Sequence, residues 1–122
     1  MLKRSFLAAA LSGLAILATP FTAAEARSLD EILSEGVVRI GINPNFPNMG
    51  ARNDAGEWVG FDIDIGTELA NGLGVEVEWV PTETAQRVPF LVSDRIDIAL
   101  GALTRNPERA MLIDFTVPVH TE

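Results

Sequence analysis

Strand-like and helix-like runs alternate along this chain from Ser28 onward, and that alternation restricts the folds open to it. "VVRIGIN" (37–43) is rich in β-branched residues. "VEVEWVP" (75–81) alternates apolar with acidic residues, as a half-exposed edge strand does. "IDIALGAL" (96–103) is a continuous apolar run suited to a buried central strand. Helical patterns lie between them. "SLDEILSEG" predicts a short helix with Ser28 as N-cap, Glu31 completing a capping box and Gly36 as the stop. "DIDIGTELANGLG" predicts a second helix, with Ile63, Leu69 and Leu73 on its apolar side and Asp62 as its cap. In "TETAQRVPFLVSDR" a proline is tolerated only in a first turn, so the regular helix begins near Arg87 or Val88. "NPERAMLI" predicts a fourth helix, with Asn106 at N-cap and Pro107 at the first position. "PNFPNMGARNDAGEW" reads as loop with a turn at "NDAGE", and "DFTVPV" as a last extended piece. The order predicts an α/β sandwich with a mostly parallel sheet.

The first residues read as an export leader rather than as part of that domain. Lys3 and Arg4 precede an apolar stretch from Phe6 to Ala18, and "AEA" at 24–26 fits a cleavage site. The stretch is shorter than the roughly 20 residues that a membrane span needs. Residues 1–26 are expected to be a signal peptide cut after Ala26, with Ala23 or Ala24 as alternatives, and residues 27–122 to be the exported domain. Removing Lys3, Arg4 and Glu25 makes the formal charge of -8 one unit more negative and leaves no lysine. Nucleic acid and anionic lipid are poor partners for such a chain. Cysteine is absent, so an exported domain must rely on its apolar core, which 48% hydrophobic residues permits. The single histidine, His120, excludes chemistry built on histidine pairs within this chain.

Open parallel sheets bind ligands at the carboxyl ends of their strands. Two loops occupy such ends here: "NPNFPNM" and "GALTRN". In "GALTRNPER" the small residues Gly101 and Ala102 leave main-chain N–H groups accessible, and Thr104 adds a hydroxyl. Asn106-Pro107 opens a helix whose free N–H groups favour an anion, and Arg109 could hold a carboxylate through two parallel hydrogen bonds. The alternative is an Arg109 that is solvated or paired with Glu108 or Asp114. In the first loop Phe46 is either a platform for a ligand's apolar part or a ring folded back on the core, and Asn43, Asn45 and Asn48 offer neutral hydrogen bonds. Thr84, Gln86 and Arg87 stand near the third helix start; Arg87 is a second anion contact or a surface charge. Asp62, Asp64 and Glu68 read as structural acids of a helix start, and Trp58 and Trp79 as packing. No nucleophile elbow, phosphate loop or metal motif occurs, so no catalytic residue, metal or cofactor is expected.

Three blocks in order, "GEWVGFDIDIGTELANGLGVEVEWV", "RVPFLVSDRIDIALGALTRNPERA" and "DFTVPV", resemble the family 3 extracellular solute-binding proteins, the receptors of bacterial amino-acid ABC importers. The likeness runs over nearly all of Leu29 to Val119. It implies the first lobe of a two-lobed type II periplasmic-binding-protein-like fold, three layers deep, with the second lobe absent from this chain. It also implies a monomer that closes on its ligand at a hinge and delivers it to an inner-membrane ABC permease. By that resemblance Arg109 binds the ligand's α-carboxylate, Thr104 contacts the ligand, Ala102 offers its N–H and Phe46 stacks. Asn43 stands where an acid is common, and Thr84 where tryptophan or leucine is common. With Gln86 and Arg87 these departures favour a polar or acidic amino acid, or another small carboxylate, over a basic one. A lone lobe is expected to bind weakly. Within the same fold, a dehydratase-like enzyme, a transglycosylase-associated domain or a sensor module are the competing readings.

Overall fold

The computed structural model describes residues 25–119. Residues 1–24, which hold most of the expected leader, and His120 lie outside the described residues. Helix α1 (Leu29–Glu35) forms as its caps dictate. The Ser28 hydroxyl accepts from the Glu31 N–H at 3.3 Å, the Glu31 carboxylate accepts from the Ser28 N–H at 2.7 Å, and Gly36 turns left-handed to end the helix. Strand β1 (Val37–Ile42) follows, and it is the centre of a three-stranded parallel sheet. It pairs with β5 (Glu76–Pro81) along its whole length and with β6 (Ile98–Ala99) at Ile40 and Gly41.

The supposed loop after β1 holds an antiparallel ladder of β2 (Asn45–Phe46), β3 (Gly50–Arg52) and β4 (Trp58–Val59). Short pairings joined by turns have too little alternation to stand out in sequence. The "NDAGE" turn lies between β3 and β4, with the Asn53 side chain accepting from the Ala55 and Glu57 N–H groups. Helix α2 (Phe61–Leu73) is not capped by Asp62. Its N-cap is Gly60, and the N–H groups of Phe61 and Asp62 donate at 2.9 Å to the carbonyls of Asn48 and Met49. At Gly60, φ is 127° and a Cβ would fall 2.4 Å from the Met49 oxygen, so only glycine fits. Asp62 is thereby freed for the interior and is buried.

A 3₁₀ turn (Thr84–Gln86) leads into α3 (Arg87–Val92), which starts at the predicted residue with Pro89 in its first turn. Helix α4 (Pro107–Ala110) has its predicted Asn106 cap. Two strand expectations fail. "IDIALGAL" contributes only Ile98–Ala99, at the side of the sheet rather than its centre, and among the described residues "DFTVPV" forms no strand. Among the described residues β6 pairs with β1 alone, and its other contacts include helix α3. The core gathers Ile32, Val38, Ile40 and Ala70, with Val77, Trp79 and Ile98 packed on it. Ile63 faces inward as expected, but Leu69, expected on the same side of α2, is exposed, and Gly66 and Ala70 face inward in its place.

Candidate functional site

Because β1, β5 and β6 run parallel, their carboxyl ends deliver three loops to one edge of the sheet: Asn43 onward, Thr82–Gln86 and Gly101–Asn106. Side chains tie the loops together. Asn45 Nδ2 donates to Glu83 Oε1 at 3.3 Å, joining the first to the second. Arg87 lies against Gly101, joining the second to the third: a Cβ built on Gly101 would stand 3.0 Å from Arg87 Nη2.

Arg109 is the exposed-side cation of this edge. Its N–H donates to Asn106 Oδ1 at 2.8 Å, which fixes the backbone, and Nη1 donates to the Thr104 carbonyl at 2.7 Å, which fixes the side chain. Among the described residues no carboxylate pairs with it, neither Glu108 nor Asp114. From Ala102 to Arg105 no main-chain N–H finds an acceptor among the described residues. Gly101 and Ala102 both take positive φ, 105° and 53°, so this turn is held in a conformation that costs an alanine about 1 kcal/mol. Free amides, one restrained guanidinium and a strained small-residue turn together suit an anion.

Arg87 is not the surface charge that one reading of the sequence allowed. It is 4% exposed, with Nη2 near the Thr84 hydroxyl at 3.5 Å and Nε without a hydrogen-bond partner. Burial lowers its pKa; the buried Asp62 and the exposed Glu83 oppose that, and Arg109 adds to it. A buried charge behind the turn is costly unless something answers it. The charge of Asp62 offsets part of it, and sequence reasoning missed that influence because 25 residues and a helix start separate the two.

The other expected residues divide. Phe46 is 37% exposed on β2, so it is not folded back on the core. Asn43 is half-buried and spends its side-chain oxygen on the Asn45 N–H at 2.9 Å. Thr84 and Thr104 are exposed. Gln86 belongs to a cap, not to a pocket wall: its Oε1 accepts from the Glu83 N–H at 3.0 Å. The cluster is an open face, whereas a cavity of about 540 Å³ lies elsewhere, beside Arg27, Glu31 and Asp94.

Residues 38–122 match the family model of bacterial extracellular solute-binding proteins, family 3. The chain is 34% identical over 109 residues to a cyclohexadienyl dehydratase of Pseudomonas aeruginosa, covering 89% of this chain and 41% of that protein. It is 35% identical over 89 residues to an L-arginine-binding protein of the same organism, covering 73% of this chain and 34% of that one. In structure it is similar to the arginine-bound form of domain 1 from TmArgBP, with a TM-score of 0.71 and 33% identity over 75% of this chain and 72% of that one. The chain thus spans well under half the length of the curated relatives it matches. With the parallel sheet, the "PER" helix start and the ordered blocks all in place, the chain belongs to the bacterial extracellular solute-binding proteins, family 3.

Proposed function

We propose that this chain is the carboxylate-gripping lobe of a periplasmic substrate-binding protein that takes an amino acid or similar small carboxylate and hands it to an inner-membrane ABC permease. The observation that carries the reading is Arg109, restrained by the Thr104 carbonyl, unpaired by any described carboxylate and beside the free amides of 102–105. Arg109 takes the α-carboxylate through its remaining donors, the Ala102 and Thr104 N–H groups complete the grip, and the Thr104 hydroxyl adds a contact. Phe46 supplies an apolar face, and Asn43 and Thr84 line the rim. Arg87 acts from beneath the turn through its field. Two guanidiniums and no acid at position 43 favour a polar or acidic ligand, although one relative is an L-arginine-binding protein. TmArgBP domain 1 in an arginine-bound form supports ligand capture by a single lobe, against the weak binding expected from the sequence.

Titration calorimetry with the twenty amino acids tests the reading. A saturable heat with one or more of them is expected, and Arg109→Ala should weaken it about 10- to 150-fold, the worth of one charge-assisted contact. An unchanged affinity in that variant would sink the site. The similarity to a cyclohexadienyl dehydratase favours a second reading, an enzyme of the same fold. Turnover of a cyclohexadienyl substrate, falling with loss of one carboxylate, would replace the first reading with the second.

A further inference from the structure

Charged groups flank β6 at both ends. Arg87 lies against Gly101 on the side of the candidate site, and Asp97 stands just before the strand on the other. β6 pairs with β1 at only two positions, Ile40 with Ile98 and Gly41 with Ala99. So short a ladder specifies its register weakly, and a slip of one residue would carry the strand about 3.3 Å and turn every side chain to the other face. Asp97 supplies the missing specification. Its N–H donates to the Arg39 carbonyl at 2.9 Å and its Oδ2 accepts the Arg39 N–H at 2.7 Å, which continues the ladder to Arg39, one residue before the paired positions. The Arg39 guanidinium then closes on both carboxylate oxygens, Nε on Oδ2 at 3.3 Å and Nη2 on Oδ1 at 2.8 Å, and Arg27 Nε reaches Oδ1 at 3.1 Å. Arg39 Nη1 also donates to the Asp94 carbonyl at 2.7 Å, so the turn that feeds β6 is held by the same side chain. The Asp97 side chain is 4% exposed.

We propose that Asp97 is a positioning residue for the candidate anion site: its grip on Arg39 sets the register of β6 on β1 and thereby fixes where the turn 101–106 and Arg109 stand. Four residues separate the lock from Gly101, and the Leu100 N–H, donating to the Gly41 carbonyl at 3.0 Å, carries the register forward to the turn. A displacement at Asp97 therefore arrives at Gly101 and Ala102, whose positive φ leaves the turn little freedom to absorb it. The consequence for affinity rests on the carboxylate-binding site proposed above; the placement of the turn does not. A carboxylate that served stability alone would leave that placement untouched in any variant that still folds.

Two-dimensional amide NMR of the full chain without ligand reads the placement directly. In Asp97→Asn the signals of 101–106 should shift or broaden, whereas Gly66→Ala, which disturbs the core at Trp79, should leave them in place. Unmoved signals in Asp97→Asn overturn the positioning role. Calorimetry with an amino acid that wild type binds, at a temperature where every variant is folded, gives the second readout. Asp97→Asn should weaken binding about 10-fold, and by no more than about twofold when Arg109 is already alanine, because both changes act through one guanidinium. A loss under about twofold, or the same loss of about 10-fold in both backgrounds, overturns the role. If Arg109→Ala binds as wild type does, the site itself fails, and the ligand-free signals alone decide the positioning. Where Asp97→Asn does not fold, Arg39→Lys takes its place: it keeps a positive charge but loses the forked grip, and the same signals should move or the role is overturned.

Discussion

At the scale of single residues, the molecule sets its arginines to three different tasks. Arg109 is held by a carbonyl with no described carboxylate against it, Arg87 is buried beneath a turn, and Arg27 and Arg39 close on one carboxylate. The last arrangement has a pH consequence. Burial alone would raise the pKa of Asp97, but hydrogen bonds from Arg27 and Arg39 outweigh it and hold the group at about 2, below its ordinary 3.8. A carboxyl group depressed in the folded state stabilises the fold above its unfolded pKa, and that stability is lost as pH falls through the folded value. The gap corresponds to about 2 kcal/mol. Asp97→Asn should therefore lower the melting temperature at pH 7, and the difference from wild type should shrink between pH 4 and 2 in thermal melts. Gly101→Ala tests the opposite end of the sheet. Its Cβ would press on the Arg87 guanidinium at 3.0 Å from a backbone with φ of 105°, so a loss of about 1–2 kcal/mol is expected in denaturant melts.

At the scale of elements, caps and prolines were legible and partners were not. The Ser28–Glu31 box, the start of α3 at Arg87 and the Asn106-Pro107 opening of α4 are local chemistry, decided within four residues of chain. The inward face of α2 was misjudged because Leu69 outranks glycine in apolarity, yet the sheet offers Trp79 as the neighbour and leaves no room for more. A Cβ on Gly66 would lie 2.6 Å from the Trp79 ring. Gly66→Ala thus sets a helix-propensity gain of roughly 1 kcal/mol against a clash in the core. The clash should win, because Ile40 also crowds the added Cβ at 3.0 Å, and the variant should melt below wild type by calorimetry. The same logic explains β6: a run as apolar as "IDIALGAL" announces burial, but burial under helices and burial between strands look alike in one dimension.

Over the whole molecule, order should follow depth in the sheet. Val38, Ile40 and Ile42 are at most 1% exposed, and β1 is bonded on both sides. Hydrogen exchange should accordingly find the slowest amides in β1 and the fastest in 102–105 and 111–119, where hydrogen bonds are few; ligand addition should slow 102–105 selectively. Slow exchange in that turn without ligand would mean that its amides are already occupied. The amino-acid order by itself determined the α/β class and the caps of α1 and α4, because those rest on periodicity and on contacts within one turn. Only the tertiary structure decided that β1 is the central strand, that Arg87 is buried against Gly101 within the field of the buried Asp62, and that Arg27 meets Asp97. Each of those joins residues far apart in the chain, and such pairings arise from how the sheet stacks its connections, a quantity that no local window of sequence contains.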